Sequence, residues 1–355
     1  MNVDDILEKR ALKSLSFESV SAHESDKIKA KELLQKEIYG FLPKSPEHFS
    51  FSLDSEDLLF AAGKAKLQTL EAALYEGERS FKFPFKAVIP TGQGKMPALI
   101  YIDSEKTVPN KFLPSEELAD HGFAVFSFYY GDFSENIPKF NDGISSFLGI
   151  NRHFASAAGK LMLWAYASMR IMDYVQSLAY IDKESIAVIG HSRLAEAALL
   201  AAAFDERFKY AIASCPSKAV FGDRTGANAF ELKNQFSHWY SPRRSKISLD
   251  SDGYDCTGYL LSLIAPRKLM IGAAENDLSA NHEYEFLTAY SVSKIYELYG
   301  LCGIDNVNEL PTAPALLDRG SICYHIRRGS EYLSREDWHV YMNYINRKTE
   351  KKNDV

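Results

Sequence analysis

Cysteine is scarce in this chain and follows no pattern, which excludes two kinds of site. Only four of the 355 residues are cysteines, and none lies in a C-x-x-C pair. The sequence therefore has neither the ligand spacing of a zinc site nor a thiol redox motif, and we expect reduced, mostly buried thiols. A chain of this length can bury a large core without a metal or a disulfide.

The sequence also lacks a surplus of positive charge and any long apolar run. Its 41 Lys and Arg are outnumbered by 47 Asp and Glu, for a net charge of -6, so we expect no nucleic-acid partner. No run of about 18 apolar residues is present to span a membrane. The opening residues, MNVDDILEKR, lack a basic segment followed by an apolar one, which predicts no export signal and a cytoplasmic location.

Apolar segments alternate with helix-forming segments over most of the chain after Phe81. The apolar segments predict strands at 85–89, 98–102, 124–129, 186–189, 210–214, 268–272 and 322–326. Helices are predicted at 115–120, 154–178, 194–204, 281–292 and 334–346. This alternation predicts an α/β protein with a mainly parallel sheet covered by helices on both faces. Ligands of such sheets bind beyond the carboxyl ends of the strands.

Composition divides the chain into three regions. Residues 1–80 are rich in Glu, Lys and Leu, and we expect them to form an extension of helices and loops packed on the core. A helix is predicted within them at 26–37, ending before Gly40. Residues 81–347 are expected to form the α/β domain, and residues 348–355 a polar tail.

The most informative motif is GHSRL at residues 190–194. It joins a strand to a helix through a tight turn with Ser192 at its apex. Such a turn holds the hydroxyl above the sheet and directs helix N–H groups to the place where an oxyanion forms. The pattern predicts a serine hydrolase, although Leu194 stands at the fifth position of the usual G-x-S-x-G turn. The alternative is a strand–turn–helix junction without chemistry, which is common in α/β proteins.

A serine nucleophile needs a base and a carboxylate that orients the base. In α/β hydrolases the acid and then a histidine follow the serine, each after a late strand. After the strand at 268–272, Asp277 is the candidate acid, with Glu275 next; the alternative role is a helix cap. The loop at 328–333, after the last predicted strand, contains Glu331 and no histidine.

Seven segments, in this order, resemble the α/β hydrolases of carbohydrate esterase family 15, which are glucuronoyl esterases and bacterial proteins described as acetylxylan esterases. The segments are GHSRL (190–194), FDERF (204–208), FSHWY (236–240), LIAPR (263–267), AENDL (274–278), IYELYG (295–300) and YHIR (324–327). The similarity covers about residues 81–346. It implies an α/β-hydrolase fold and a serine esterase that acts on a small-molecule or oligosaccharide ester. Acyl transfer through a serine requires no metal or organic cofactor.

The resemblance also implies roles for individual residues. Ser192 corresponds to the nucleophile, and Arg193 is expected to help stabilise the oxyanion through its backbone and side chain. Asp277 corresponds to the acid of those members that lack a carboxylate soon after the nucleophile strand. His238 and Trp239 lie in a segment that resembles the substrate side of the site.

The sequence departs from the family pattern at three places. Ala195 and Glu196 replace a Gly-Lys pair, which reverses a charge where a sugar would be bound, so Glu196 is a predicted substrate contact. Ser279 stands in place of a tryptophan after the acid. Glu331 occupies the position of the catalytic histidine.

Glutamate is a poor substitute for histidine, since its ordinary pKa of about 4.3 is low for a group that must take up and return a proton near neutral pH. Burial and a carboxylate neighbour such as Asp277 would raise such a pKa.

The sequence predicts two main functions. The chain is a carbohydrate esterase in which Glu331 or a displaced histidine (His191, His238 or His282) moves the proton, or an esterase-fold protein that binds a carbohydrate or acidic ligand without efficient turnover. A third hypothesis is that the protein hydrolyses another small acyl substrate.

Overall fold

The computed structural model describes residues 2–9, 16–92, 94–141, 143–216, 235–244, 256–305 and 307–350. Its strands in chain order are β1 (His48–Asp57), β2 (Ala65–Glu76), β3 (Arg79–Pro90), β4 (Met96–Asp103), β5 (Ala124–Tyr129), β6 (Ile181–His191), β7 (Tyr210–Ser214), β8 (Lys268–Ala274), β9 (Ala315–Leu317) and β10 (Ile322–Arg327). They form one sheet in the order β1-β2-β3-β5-β4-β6-β7-β8-β10-β9. The strands from β5 to β10 in that order are parallel, and the pairs at both edges are antiparallel. The predicted mainly parallel sheet is confirmed.

Helices cover both faces of this sheet. They are α1 (Val3–Lys9), α2 (Val20–Leu33), α3 (Ser115–Asp120), α4 (Tyr130–Phe133), α5 (Gly143–Phe147), α6 (Lys160–Ser177), α7 (Arg193–Phe204), α8 (Cys256–Ser262), α9 (His282–Leu298) and α10 (Arg335–Glu350). A π-helix at Leu34–Tyr39 continues α2, and a short 3-10 helix lies at Ser237–Trp239. None of the helices in the described residues has the length and apolar character needed to cross a membrane.

The core has two layers, one on each face of the sheet. Helices α6, α7 and α9 pack on one face, and α3 and α10 pack on the other. Alternate residues of a strand point to opposite faces. In β6, Val188 therefore belongs to the α6/α7/α9 layer, while Ala187 and Ile189 belong to the α3/α10 layer.

Strands β5 and β7 and helix α3 begin and end at the predicted residues, whereas α6 is shorter than the predicted helix at 154–178. It begins after Gly159, where the chain passes so close to Trp239 that a Cβ on this glycine would lie 2.2 Å from the Trp239 carbonyl oxygen. The side chains from Lys160 to Met172 are all buried, so α6 is enclosed on every side rather than along one face.

The prediction of helices and loops throughout residues 1–80 was wrong. Strands β1 and β2 occupy much of the second half of this region, and its predicted boundary falls inside β3. Most of β1 is exposed, but Phe49, Phe51 and Leu53 alternate with polar residues, a period-2 pattern typical of a strand that the prediction from composition overlooked. The helix predicted at 26–37 starts earlier, at Val20, because the Ser19 hydroxyl caps α2 by accepting from the Ala22 N–H; the helical segment ends before Gly40, as predicted.

The amino-terminal region is attached to the α/β core by polar contacts as well as apolar ones. The Lys27 ammonium donates to the Ala265 carbonyl oxygen at 2.7 Å, and the Tyr166 hydroxyl donates to the Lys44 carbonyl oxygen at 2.9 Å. At the other end of the chain, α10 continues through Glu350 and so includes the start of the predicted tail. Residues 351–355 lie outside the described residues.

We expect Gly190→Ala to destabilise the fold strongly. A Cβ at this position would lie 2.0 Å from the Leu194 carbonyl oxygen, where α7 starts against β6, so the free energy of unfolding should fall by roughly 3 kcal/mol. Denaturant unfolding measures the change. Gly92→Ala is the matched control, because a Cβ there meets nothing within 4 Å; an equal loss in both variants would contradict this account.

Candidate active site

The predicted turn between β6 and α7 presents Ser192 at the carboxyl edge of the sheet. Ser192 has φ 57 and ψ -128, a left-handed conformation that costs energy for a residue with a side chain. Its N–H donates to the Ser214 carbonyl oxygen at 2.9 Å, which holds the turn on β7. The side chain of Ser192 is partly exposed, so it is not sealed in the interior.

Electropositive groups surround this turn. Helix α7 begins at Arg193, and the first N–H groups of a helix have no partner within it. The Arg193 guanidinium donates from Nη2 to the Tyr130 hydroxyl at 3.0 Å and lies over that ring. Its Nε is buried and has no hydrogen-bond partner. Free donors at a helix start are suited to a developing oxyanion.

Asp277 and Glu331, predicted as acid and histidine replacement, lie on adjacent loops and are joined by Ser279. Asp277 follows β8, and its Oδ1 accepts from the Ser279 N–H and hydroxyl, both at 2.7 Å. The same hydroxyl lies 3.2 Å from Oε2 of Glu331, although one hydroxyl hydrogen serves one carboxylate at a time. Within the described residues, Oδ2 of Asp277 is buried without a partner. Ser279 therefore places a bridging hydroxyl between the two carboxyl groups.

Glu331 also lies beside His191, the residue immediately before the serine. Its Oε1 is 3.8 Å from His191 Nε2, and the two side chains are 34% and 12% exposed. On the other side of the ring, His191 Nδ1 lies 3.3 Å from the Ser214 hydroxyl oxygen. Burial lowers the pKa of His191, an effect opposed mainly by the Glu331 carboxylate.

No side chain of the described residues makes a hydrogen bond with the Ser192 hydroxyl. Among these residues, the hydrogen bond between a serine nucleophile and its base is therefore not preformed. Two other histidines are engaged elsewhere. His339 pairs with Glu117 at 2.6 Å on the surface of α10, and His325 is buried in β10. Of the histidines considered as displaced bases, His191 is the one that lies against Glu331.

His238 and Trp239 are both held by Asn136, a residue that the sequence analysis missed. The Asn136 side-chain oxygen lies 2.9 Å from His238 Nε2 and accepts from the Trp239 indole N–H at 2.6 Å. Burial, with a contribution from Lys160, lowers the pKa of His238 to about 4. These rings are therefore fixed against the segment between α4 and α5, in which Asn136 lies. Their substrate-binding role stays a prediction.

The structure does not bring Glu196 to the surface of the site. The side chain is 1% exposed, and its two oxygens accept from the hydroxyls of Tyr39 at 2.7 Å and Tyr240 at 3.2 Å. Burial raises the pKa of Glu196 to about 7. Glu196, which the sequence analysis interpreted as a reversed charge at a sugar-binding position, therefore lies in the core and contacts the amino-terminal region. Cys215, where some family members carry their acid, is buried as well.

A family model described as glucuronyl esterase of fungi matches residues 73–300, more than half of the chain. The chain belongs to the glucuronyl esterase family. It is also similar to carbohydrate esterase MZ0003 from an unknown prokaryotic organism, with 29% identity over 236 residues. That alignment covers 64% of the chain and 54% of the relative, so the chain spans about half the length of this curated relative.

Solved structures of glucuronoyl esterases share the fold of this family member. The enzyme from Solibacter usitatus has a TM-score of 0.84 and 21% identity, covering 94% of this chain and 96% of that chain. The CE15 enzyme from Teredinibacter turnerae T7901 has a TM-score of 0.81 and 21% identity, covering 94% and 86%. These similarities confirm the α/β-hydrolase fold.

We expect Glu196→Gln to remove part of the pH dependence of stability. The pKa of Glu196 rises from 4.5 to about 7 on folding, so the folded state binds the proton more tightly. The stability that this carboxyl contributes is fully present below pH 4.5 and is lost as the pH rises to about 7, by about 3 kcal/mol in total. Urea unfolding between pH 4 and 8 measures it.

Glutamine cannot ionise, so the variant should lose stability less steeply over this range than the wild type. Glu184→Gln, which removes one charge from an exposed side chain, is the matched control. Identical curves for the wild type and Glu196→Gln would show that the buried carboxyl does not carry the effect.

Proposed function

We propose that the protein is a serine esterase that hydrolyses a carboxylic ester of a carbohydrate, with Glu331 in the position of the catalytic histidine. The observation that carries the proposal is the grouping of Glu331 with His191, directly before Ser192, and with Asp277 through Ser279. Membership of the glucuronyl esterase family and the similarity to a carbohydrate esterase support the substrate class.

In this mechanism Ser192 Oγ attacks the ester carbonyl carbon and passes its proton to the Glu331 carboxylate. The first N–H groups of α7 and the Arg193 guanidinium stabilise the oxyanion of the tetrahedral intermediate. Collapse of the intermediate expels the alcohol, which takes the proton back from Glu331, and leaves an acyl group on Ser192. Water then attacks the acyl group with Glu331 again as the base, which frees the acid and restores the serine.

A carboxylate base makes this reaction slower than the usual triad, because a glutamic acid ordinarily loses its proton far below neutral pH. Losing one member of a serine triad typically lowers turnover by about 10⁴ to 10⁶ and leaves roughly 10³ to 10⁴ over water. We therefore expect slow but measurable hydrolysis.

Within the described residues the Ser192 hydroxyl has no side-chain hydrogen bond, which favours a second candidate function, binding of a carbohydrate or acidic ligand without efficient turnover. If the protein has this second function, it retains the strained turn and Arg193, but no base activates the serine. The reactivity of Ser192 separates the two functions, because only an activated serine reacts readily with a phosphonate electrophile.

A fluorophosphonate probe should label the wild type at Ser192 and leave Ser192→Ala unlabelled. Intact-protein mass spectrometry gives the adduct mass, and peptide mapping gives its position. The Ser192→Ala variant should retain ligand binding and lose ester hydrolysis. Absence of an adduct on the wild type under conditions that label a known serine esterase would support binding without turnover.

Glu331→Gln should lower kcat for p-nitrophenyl acetate by about 10³ or more, because the amide takes up no proton. Glu331→His should raise kcat above the wild type, since imidazole titrates near neutral pH and Asp277 Oδ2, which is buried without a partner, can accept its N–H. Glu275→His adds a histidine to the neighbouring loop as the control. An unchanged or lower rate for Glu331→His would contradict the position assigned to residue 331.

A further inference from the structure

A row of residues crosses four parallel strands directly below the serine turn. His191 at the end of β6 is in register with Ser214 of β7, Ser214 is in register with Gly272 of β8, and Gly272 is in register with His325 of β10. Residues in register on parallel strands face the same side of the sheet. This side carries the α3/α10 layer, so the row lies between the active-site edge and α10.

Gly272 leaves room in this row for Tyr341 of α10. A Cβ on the glycine would lie 2.2 Å from the Tyr341 hydroxyl oxygen and 2.5 Å from His325 Nε2. In the space left by the missing side chain, the Tyr341 hydroxyl lies 3.4 Å from His325 Nε2. At the other end of the row, the Ser214 hydroxyl oxygen lies 3.3 Å from His191 Nδ1, so polar groups stand on both sides of Gly272.

At its other end, the row is connected through His325 to the loop that carries Glu331. His325 Nε2 lies 3.4 Å from Oδ1 of Asp337, which is buried and also accepts from Nε of Arg327 at 3.2 Å. Arg327 donates from Nη1 to the carbonyl oxygens of Arg328 and Ser330 at 3.1 Å, and from Nη2 to that of Tyr332. One buried cation therefore fixes the backbone on both sides of Glu331.

The donors around His191 can be assigned from its two neighbours. Nε2 faces Oε1 of the Glu331 carboxylate, so this nitrogen of a neutral ring carries the hydrogen. Nδ1 is then an acceptor, and the Ser214 hydroxyl donates to it.

We infer that His191 is a positioning residue for Glu331, with the Ser214 hydroxyl fixing its tautomer so that Nε2–H is directed at the carboxylate. The inference rests on the proposed function and deepens it. In the usual triad a carboxylate orients an imidazole, whereas here an imidazole orients a carboxylate. The separation of 3.8 Å is long for a hydrogen bond, as catalytic contacts often are before substrate binds.

The surroundings of His191 keep it a neutral donor rather than a second base. Burial lowers its pKa, and Arg327 acts in the same direction, while the carboxylates of Glu331, Asp337 and Asp277 oppose the shift. The ring of Phe112 packs against the imidazole with 5.9 Å between ring centroids. These contacts exclude water from one face of the ring and leave Nε2 directed toward Glu331.

The tautomer of His191 tests the inference without relying on activity. In protein labelled with ¹⁵N-histidine, the His191 resonances, assigned by their loss in His191→Gln, should show hydrogen on Nε2 and none on Nδ1 near pH 7. In Ser214→Ala, which removes the hydroxyl beside Nδ1, the resonances should shift toward a mixture of tautomers. Hydrogen on Nδ1 in the wild type would overturn the inference, even if the protein proves to be an esterase.

Kinetics test the effect on Glu331. We expect His191→Met to lower kcat by about 30-fold with KM within about twofold, as for loss of an interaction made in the transition state. His191→Gln, which retains an N–H donor, should recover most of the rate. Tyr344→Phe, which removes another buried hydroxyl of α10, should keep the wild-type kcat.

The double variant Glu331→Gln with His191→Met separates positioning from a general loss of structure. If His191 acts through Glu331, the double variant should be no slower than Glu331→Gln alone. Multiplied losses, or an unchanged kcat in His191→Met, would overturn the inference while leaving the esterase proposal standing. A wild type that neither hydrolyses esters nor is labelled at Ser192 would instead refute the proposed function, and the positioning role with it.

Discussion

The register of four parallel strands is the constraint on which the site depends. Hydrogen bonding between β6, β7, β8 and β10 fixes which residues end side by side at the carboxyl edge. It places the strained serine turn, the acid loop and the Glu331 loop within reach of one another, although they are about 140 residues apart in the chain. A shift of one residue in the register of these strands would turn the side chains of the polar row to the opposite face of the sheet, into the α6/α7/α9 layer.

The sequence was sufficient for the elements whose ends are marked by local chemistry. Strands β5 and β7 are short, mostly apolar runs with a glycine, lysine or proline within two residues of each end, and their limits were predicted to the residue. Strand β1 was missed although Phe49, Phe51 and Leu53 alternate with polar residues, because the composition of residues 1–80 was taken to indicate helices and loops. The serine turn was found from GHSRL alone, because the strand, the turn and the helix start are all local.

The rest of the site required the folded chain. A resemblance gives the position of a residue in a motif but not its burial, so Glu196 was interpreted as a sugar contact although the helix turns it into the core toward Tyr39. The bridge through Ser279 and the contact between His191 and Glu331 join separate loops. Asn136 likewise holds His238 and Trp239 from about 100 residues away. Contacts between segments so far apart in the sequence cannot be predicted from a local sequence pattern.

The hydrogen bonds of Glu196 tie the amino-terminal region to the part of the fold that carries the serine turn. Tyr39, within the first 40 residues, donates to this carboxyl group on α7, the helix that begins directly after Ser192. Trimming the chain to the segment that the family model matches, residues 73–300, would remove Tyr39 and leave the buried Glu196 carboxyl group with one of its two tyrosine partners, which is a costly defect in an apolar layer. The smallest unit expected to fold on its own is therefore longer than that matched segment.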